Sequence, residues 1–522
     1  MAEGVKLEDR WGYYVATSSQ ACVSAINSYY HQVLIYGRER SVILEAVAHD
    51  KHCVLANILA AHFLHSSGSS RALTCLHAAK SNLEHATLYE KLVFDAISYM
   101  LSEDRDDDVA VELHSKDDVP TYTEGGSARI LHWLYSNAQE VHPLGHWIVD
   151  RVGAIRLGSS RDLLVQISFL LLKEFPRDLV SLKRAQVICF YMGLPGLSLS
   201  LIQKVLPHNE GENFIYGMLA FPLLELGRME EAEKAAKRGF EINKQDSWAQ
   251  HALCHVLQYK CCFREAVKFM EECSSSWGSS SFMLTHNWWH VALCYLEGNA
   301  PRQRVLEIYD NYIWKELDRN DSMSAEVYLN AAGLLLRLYV RGELDIIGDR
   351  LKMLAECLTN QENWYMEWHF DVLIVWTLAK TGEISKAEDL LKGLKNRFLR
   401  MTKKKQQRMQ RGMMLAEALY AYGIADDRRG LELLDPDFDA TDYKIIGASD
   451  EQVDVFNEVW YNMLLNIGNA LKAIEVLEKQ IKKRDGVPYL WRLLERAYKL
   501  ANKPEERIAN EKATALESRY FN

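Results

Sequence analysis

The chain has 522 residues, of which 48% are hydrophobic and 25% are charged. These fractions are ordinary for a globular protein and exclude a wholly disordered or collagen-like chain. The 61 basic and 71 acidic residues give a net charge of −10, so we expect no nucleic-acid partner, because nucleic-acid-binding domains are as a rule strongly basic. Only 10 residues are proline, well under the usual share of about 5%, which predicts long uninterrupted helices.

No stretch of about 18 consecutive apolar residues occurs, so we expect neither a transmembrane helix nor a membrane partner. The first residues, MAEGVKLEDRW, lack the apolar segment of a secretory signal. The ten cysteines are scattered and form no C-x-x-C pair, which is typical of reduced thiols. Together these features predict a cytoplasmic protein.

Along the chain, the pattern of apolar residues predicts three regions. Residues 1–101 are expected to form N-terminal helical hairpins. Residues 102–127 are acidic and lack periodicity, which predicts a loop or an insertion. The helical pattern resumes over 128–522, and we expect this region to continue the N-terminal hairpins as one superhelix.

A repeat begins in the middle of the chain, and its length of about 34 residues is that of a tetratricopeptide unit. Gly193 and Gly227 each close an apolar helical segment and lie one repeat length apart, and Ala232 and Ala266 in the following segments have the same separation. Glycine at the turn and alanine where two helices approach are typical of the tetratricopeptide helical hairpin. The predicted units are 179–212, 213–246 and 247–280.

The same offset between glycine and alanine returns at Gly382 and Ala387 and at Gly468 and Ala473. A further unit begins at Pro488, and its residues at three consensus positions are Trp491, Leu494 and Tyr498. We therefore predict an all-α fold, a right-handed α-α superhelix (solenoid) of tetratricopeptide-type helical hairpins.

The first helix of each hairpin is expected to face the concave side of the superhelix. Positions 2, 5, 9 and 12 of such a helix form one stripe, because they are spaced by three or four residues. These stripes predict a groove lined mainly by aromatic and apolar side chains, which is typical of a small-molecule site. The predicted ligand-binding residues are Phe190, Phe221, Trp248, Gln258, Asn287, His369 and Trp376.

Three histidines of this stripe are candidate catalytic residues: His251, His255 and His290. The first two form H-x-x-x-H, which places two imidazoles one turn apart, as in zinc-binding helices. A metal needs a third ligand, and His290 or His369 supplies one only if the fold brings the helices together. The metalloprotease pattern H-E-x-x-H is not formed, because Ala252 follows His251. Histidines bonded within the groove, a catalytic or ligand-binding cluster and a metal site stay open as alternatives, and we expect no metal and no cofactor.

Three segments carry a distinctive set of residues: SWAQHALCHVLQYK at 247–260, FMLTHNWWHVALCYLEGN at 282–299 and VLEIYDNYI at 305–313. A histidine pair four apart, then a His-Asn-aromatic-Trp-His block, then Ile-Tyr-Asp, resembles the tetratricopeptide repeat protein 38 family. The resemblance spans about 170–480 and implies the repeat fold. The residues shared with that family are His251, His255, His286, Asn287, Trp289, His290, His369 and Asp454.

The chain departs from the family pattern at two places. Gln258 stands where family members commonly carry an acidic residue, and Gln186-Val187 stands where a His-Asp pair is expected. The missing carboxylate and histidine are acid/base or metal-ligating groups, so an enzymatic role implied by the resemblance is weakened.

The sequence therefore predicts a tetratricopeptide-repeat binding or adaptor protein that holds a partner segment or small ligand in an aromatic, histidine-bearing groove. The expected partners are a protein or peptide, or a small apolar or aromatic ligand. The alternative is a small-molecule enzyme in which His251, His255 or His290 performs general acid/base work, since imidazole titrates near neutral pH.

Overall fold

The computed structural model describes residues 6–66, 69–101 and 170–521. The chain divides into two compact units, one of Met1–Gln186 with Ser200–Glu210 and the other of Val187–Leu199 with Gly211–Asn522. The acidic segment 102–127 and residues 128–169 lie outside the described residues. The domain boundaries expected from the sequence therefore stay a prediction.

The first unit begins with a short β-pair that the sequence analysis did not predict. Strand β1 (Leu7–Glu8) runs antiparallel to β2 (Tyr14–Val15), with Leu7 opposite Val15. Five helices follow: α1 Gln20–Leu34, α2 Ile43–His49, α3 Val54–Ser66, α4 Arg71–Ser81 and α5 Leu88–Met100. Two more helices, α6 (Leu179–Tyr191) and α7 (Pro195–Val205), each contribute residues to both units. Single 3₁₀ turns lie at Arg40–Val42, Leu83–His85 and Leu206–His208.

The second unit is a series of helical hairpins. Their first helices are α8 Asn213–Glu225, α10 Ser247–Tyr259, α12 Phe282–Glu297, α14 Ser324–Val340, α16 Trp368–Thr381, α18 Lys403–Gly423, α20 Asp450–Asn466 and α22 Pro488–Leu500. Their second helices are α9 Met229–Ile242, α11 Phe263–Cys273, α13 Arg302–Ile308, α15 Leu344–Leu358, α17 Ile384–Arg400, α19 Asp427–Leu433, α21 Ala470–Lys483 and α23 Glu506–Tyr520. The connections include 3₁₀ turns at Ser274–Ser276, Trp314–Asp318, Gln361–Asn363 and Ala440–Ile446, and a π-helical turn at Tyr309–Ile313.

A left-handed backbone position joins the two helices of a hairpin. The predicted turn residues Gly193 and Gly227 have φ angles of +64° and +70°. Cys261 lies one repeat length after Gly227 and has a φ of +55°. This conformation costs a residue with a Cβ about 1–2 kcal/mol, which the packing of two helices offsets. The 34-residue repeat therefore continues into the hairpin whose turn lies at Cys261, although that turn has no glycine.

The first helices of the hairpins lie inside and the second helices outside. In α16 every residue from His369 to Ala379 is buried, so this helix has core on all sides. In α11 burial is confined to one stripe at spacings of three or four: Phe263, Ala266, Val267 and Met270. A single apolar stripe is typical of a helix with one face in water.

Helix α20 packs against the inner helix α14, although two hairpins lie between them in sequence. Nη2 of Arg341, directly after α14, lies 2.6 Å from Oε1 of Glu458 on α20. The ring of Phe456 faces His369 of α16 at 6.1 Å between centroids. A helix of the chain itself thus covers part of the inner face of the second unit.

The all-α solenoid of tetratricopeptide-type hairpins predicted from the sequence is confirmed as the fold class. Within 6–66, 69–101 and 170–521, β1 and β2 are the only strands. None of the helices in these ranges combines the length and the apolar composition that crossing a membrane requires.

Candidate histidine site

Three histidine side chains converge between two neighbouring inner helices. Helix α10 supplies His251 and His255, and α12 supplies His290. Nε2 of His251 lies 2.9 Å from Nε2 of His255 and 3.1 Å from Nε2 of His290. All three side chains are buried. The structure therefore brings together the three residues that the sequence singled out as candidate catalytic residues, and we call them the histidine cluster.

The start of α10 is fixed by an aspartate cap. Oδ1 of Asp246 accepts hydrogen bonds from the backbone N–H groups of Trp248 and Ala249 at 3.0 and 3.1 Å. Such a cap satisfies N–H groups that have no partner within the helix. The helix therefore begins at Ser247, and His251 and His255, one turn apart, lie on the same face of it.

The Nδ1 atoms of two cluster members, on the side of each ring away from the other histidines, are contacted by side chains. Nδ1 of His255 lies 2.6 Å from Oε1 of Glu451, in the first turn of α20. Nδ1 of His290 lies 3.3 Å from Oε1 of Gln258. Because carboxylate and amide oxygens only accept, both Nδ1 atoms carry a proton, and in the neutral ring Nε2 then presents a lone pair. Both lone pairs point toward His251.

His286 lies beside the cluster and is held differently. Its ring stacks on Trp289 with 10° between the planes, and its Nδ1 lies 3.1 Å from Oδ1 of Asn330. The ring centroid is 5.0 Å from that of His251 and 4.8 Å from that of His290. His286 and Trp289 therefore form a wall of the cluster.

Burial opposes the positive charge on most of these rings. It is the first cause that lowers the pKa values of His251 and His290 well below the usual range, and neighbouring histidines add to it. Burial likewise lowers the pKa of His286 to about 4. At His255 burial lowers the pKa too, but the nearby carboxylate of Glu451 outweighs it, and the pKa rises above its usual value. A proton that enters the cluster therefore settles on His255.

A row of aromatic rings leads to the cluster. The ring centroids of Phe190 and Phe221 are 5.5 Å apart, as are those of Phe221 and Trp248, and Trp248 stacks on His251 at 5.2 Å. The two phenylalanines and the tryptophan are half-buried, whereas His251 is buried. Gly217 on α8 leaves room for the tryptophan, because a Cβ there would lie 2.1 Å from Cδ1 of Trp248.

Two further predicted groove residues, Gln258 and Asn287, lie next to the cluster. Nε2 of Gln258 donates to Oε2 of Glu297 at 3.2 Å, which directs its amide oxygen toward His290. Asn287 is fully buried, and its amide nitrogen donates to the backbone oxygen of Ser247 at 3.4 Å. Its Oδ1 has no hydrogen-bond partner among the residues that the structure describes.

The predicted groove residues on α16 lie in the core, outside the cluster. The ring of Trp376 faces Tyr339 at 5.6 Å, and that of His369 faces Phe456. Both predicted residues are buried. The sequence analysis placed both on the groove lining; in the structure His369 packs against Phe456 of α20, and Trp376 packs against Tyr339 of α14.

Sequence reasoning missed the charged residues that α20 and its neighbours bring to the inner face. Besides Glu451, Arg484 lies 2.7 Å from the buried carboxylate of Glu297. One local signal was available: Ser449 and Gln452 form a capping box, which predicts a helix start at residue 450 and places Glu451 in its first turn. Nothing local in the sequence links that turn to His255.

The fold and the inner-face cluster together define an all-α protein of tetratricopeptide-type hairpins. No model of a known protein family matches the chain. A monomeric mutant of IFIT1 with Gppp-AAAA is 12% identical, covers 93% of this chain and 95% of its own, and has a TM-score of 0.39. The human IFIT1 dimer with m7Gppp-AAAA is 13% identical over 93% and 94%, with a TM-score of 0.36. Naa15/Naa10 bound to HypK-THB is 15% identical over 71% of this chain and 63% of that one, with a TM-score of 0.20.

One expectation from the sequence was wrong. We excluded a nucleic-acid partner from the net charge of −10, yet IFIT1, which is similar to this chain over 93% of its length, is solved with the capped RNA Gppp-AAAA. The resemblance to the tetratricopeptide repeat protein 38 family and the cytoplasmic location stay predictions.

Proposed function

We propose that this chain is a binding protein that holds a small ligand along the aromatic row that leads to the histidine cluster. One observation carries the proposal: the row is half-buried at Phe190, Phe221 and Trp248 and ends at the buried His251. Apolar rings with a few polar groups at the closed end are typical of small-molecule sites. The unpartnered Oδ1 of Asn287 adds a buried acceptor beside the cluster, within the part of the chain that the structure describes.

A small ligand fits this face better than a partner segment does. Helix α20 already covers part of the inner helices, and its Glu451 and Glu458 contact His255 and Arg341. A peptide laid along the same helices must displace these buried charge contacts. Breaking one such pair by removing one partner costs about 3–5 kcal/mol, which a peptide must regain before it binds.

Native mass spectrometry of small molecules that co-purify with the full chain tests the proposal. We expect a bound molecule in the wild-type chain and its loss in Trp248→Ala, because the tryptophan joins the row to the cluster. The matched control is Phe240→Ala, a half-buried ring on α9 that packs on Phe269 at 5.4 Å away from the row. A wild-type chain that retains no molecule, or a molecule retained equally by Trp248→Ala, contradicts the proposal.

A second candidate function is acid/base catalysis on the same small molecule. The pairing of His255 with Glu451 at 2.6 Å favours it, since a carboxylate that orients an imidazole is a common element of such catalysis. His255→Gln is then expected to reduce turnover of the co-purified molecule by about 10²–10⁴-fold while the molecule still binds. Unchanged turnover, or none in the wild-type chain, leaves binding alone.

A further inference from the structure

We propose that the histidine cluster is a binding site for a divalent transition metal, with Nε2 of His251, His255 and His290 as the ligands. The sequence analysis left a metal open as an alternative and expected none, because the position of a third ligand depended on the fold. The structure supplies that ligand from α12. The inference does not depend on the small-ligand proposal, because the aromatic row contributes none of the three nitrogens.

The distances suit a metal ion. Two nitrogens bound to zinc at about 2.05 Å in tetrahedral geometry lie about 3.3 Å apart. Nε2 of His251 is 2.9 Å from that of His255 and 3.1 Å from that of His290, and all three ligand atoms lie within 4.8 Å of one another. Small rotations of the rings therefore bring the three atoms to metal-ligand spacing.

Hydrogen bonding among the rings alone cannot satisfy this arrangement. His255 and His290 both have Nδ1 protonated by their outer partners, so in the neutral state both present an Nε2 lone pair to His251. Nε2 of His251 carries one proton or one lone pair, so it donates to one neighbour at most. A fully protonated His255 donates to His251 instead, and then His251 and His290 face each other with lone pairs. One close nitrogen pair is unmatched in either case, whereas a cation at the centre receives all three lone pairs.

The side chains that contact the Nδ1 atoms of the cluster are also typical of a metal site. A metal-bound histidine commonly donates its second N–H to a carboxylate or another acceptor, which fixes the tautomer and raises the basicity of the ligand. Glu451 does this for His255 and Gln258 for His290. The Glu451 carboxylate also brings negative charge to a site whose three ligands are neutral.

The donor set indicates the class of metal. Three imidazole nitrogens suit zinc, copper, nickel and cobalt, whereas calcium and magnesium prefer oxygen ligands. Three histidines also leave a fourth position for water or a ligand atom, as in catalytic zinc sites.

Metal titration of the full chain tests the inference. The chain is stripped with a chelator and titrated with Co²⁺, whose visible absorption reports a low-symmetry nitrogen site, and then with Zn²⁺ as competitor. We expect one Co²⁺ per chain, displaced by Zn²⁺, and a rise of the unfolding midpoint that the chelator reverses, because a ligand that binds only the folded state stabilises it.

Substitutions of single residues test which side chains bind the metal. His255→Gln and His290→Gln are expected to lose stoichiometric binding, and Glu451→Gln to weaken it by about 10- to 100-fold. His369→Gln is the matched control, a buried histidine of the same unit outside the cluster. Circular dichroism checks the folding of each variant. Trp248→Ala is expected to keep the metal while it loses the small molecule, which separates this inference from the proposed function.

Two outcomes overturn the inference. One is a folded wild-type chain that binds no Co²⁺ or Zn²⁺ beyond the level of the double variant His255→Gln/His290→Gln. The other is a site that survives in that folded double variant, which would place the metal elsewhere. Should the histidine variants fail to fold, the stoichiometry of the wild-type chain and the affinity of Glu451→Gln decide the question.

Discussion

Oε1 of Glu451 lies 2.6 Å from Nδ1 of His255, so a buried charge contact connects the first turn of α20 to the middle of α10. The pKa of Glu451 is held at about 2, because the attraction of His255 outweighs the effect of burial. The carboxylate is therefore charged at neutral pH. Its contact with His255 joins α20 to the inner helix α10.

Removal of this carboxylate should destabilise the second unit. We expect Glu451→Ala to cost about 3 kcal/mol of the free energy of unfolding, because a buried partner is left alone, and Glu451→Gln to cost about 1–2 kcal/mol, because an acceptor remains. Urea unfolding followed by tryptophan fluorescence measures both. The control Glu272→Gln, at an exposed position on α11, should change stability by less than about 0.5 kcal/mol. Equal effects of Glu451→Ala and the control would contradict the prediction.

The pair of Arg341 and Glu458 gives a second stability prediction. Nη2 of the arginine lies 2.6 Å from Oε1 of the glutamate, and their side chains are only 2% and 6% exposed. Arg341→Met leaves a buried carboxylate without its closest partner and should cost about 3–5 kcal/mol. Adding Glu458→Met removes that carboxylate and should recover much of the loss, which a double-mutant cycle in urea measures. Losses that merely add would show that the two residues are not coupled.

At the left-handed turn positions, we expect glycine-to-alanine substitutions to lower stability and alanine-to-glycine substitutions to raise it. Gly227 has a φ of +70°, and a Cβ added there would meet no atom within 4 Å, so Gly227→Ala should cost about 1 kcal/mol through backbone strain alone. Ala425, exposed with a φ of +63°, already carries that strain, and Ala425→Gly should relieve up to about 1 kcal/mol. Midpoints of urea unfolding report both. Shifts of the same sign would refute this account of the turns.

Asp9 in the first unit predicts a pH dependence. Burial, aided by the nearby Asp178, raises the pKa of Asp9 to about 7 from 3.8, despite the N–H groups of Trp11 and Tyr13 that donate to Oδ1. The folded state holds the proton more tightly than the unfolded state, so the contribution to stability is fully present below about pH 4 and is lost as the pH rises to about 7. The whole effect is on the order of 4 kcal/mol.

Asp9→Asn tests this, because the amide keeps an oxygen for the two N–H groups and cannot ionise. Its stability relative to the wild-type chain should increase between pH 4 and pH 8 in chemical unfolding of the first unit. The exposed Glu84→Gln should follow the wild-type curve. A constant difference between Asp9→Asn and the wild-type chain across this range would disprove the shifted pKa.

The hairpins could be predicted from the sequence because their signals are local. The turn glycines one repeat length apart and the small Ala232 mark a hairpin within about 34 residues. Each of the three predicted repeats, 179–212, 213–246 and 247–280, contains a pair of helices in the structure. The turn at Ala425 left no such mark, because packing of the two helices imposes the left-handed backbone there on a residue that does not favour it. Prediction of the later hairpins was therefore incomplete.

The candidate site was predicted in part. His251 and His255 share a helical face, so their spacing alone places them side by side, and His290 follows in the first helix of the next hairpin. The burial of His369 against Phe456 was not foreseen, because it depends on α20, which lies far along the chain and packs on the inner helices. The outer partner Glu451 arrives with the same helix.

The sequence by itself determined the all-α hairpins and the helix face on which the histidines lie, because helical period and repeat spacing act over a short length of chain. Only the tertiary structure decided that the inner face is partly covered rather than open, that three Nε2 atoms meet around a common centre, and that Glu451 supports one of them. These features arise from contacts between helices distant in sequence, whose formation depends on the packing of the whole unit.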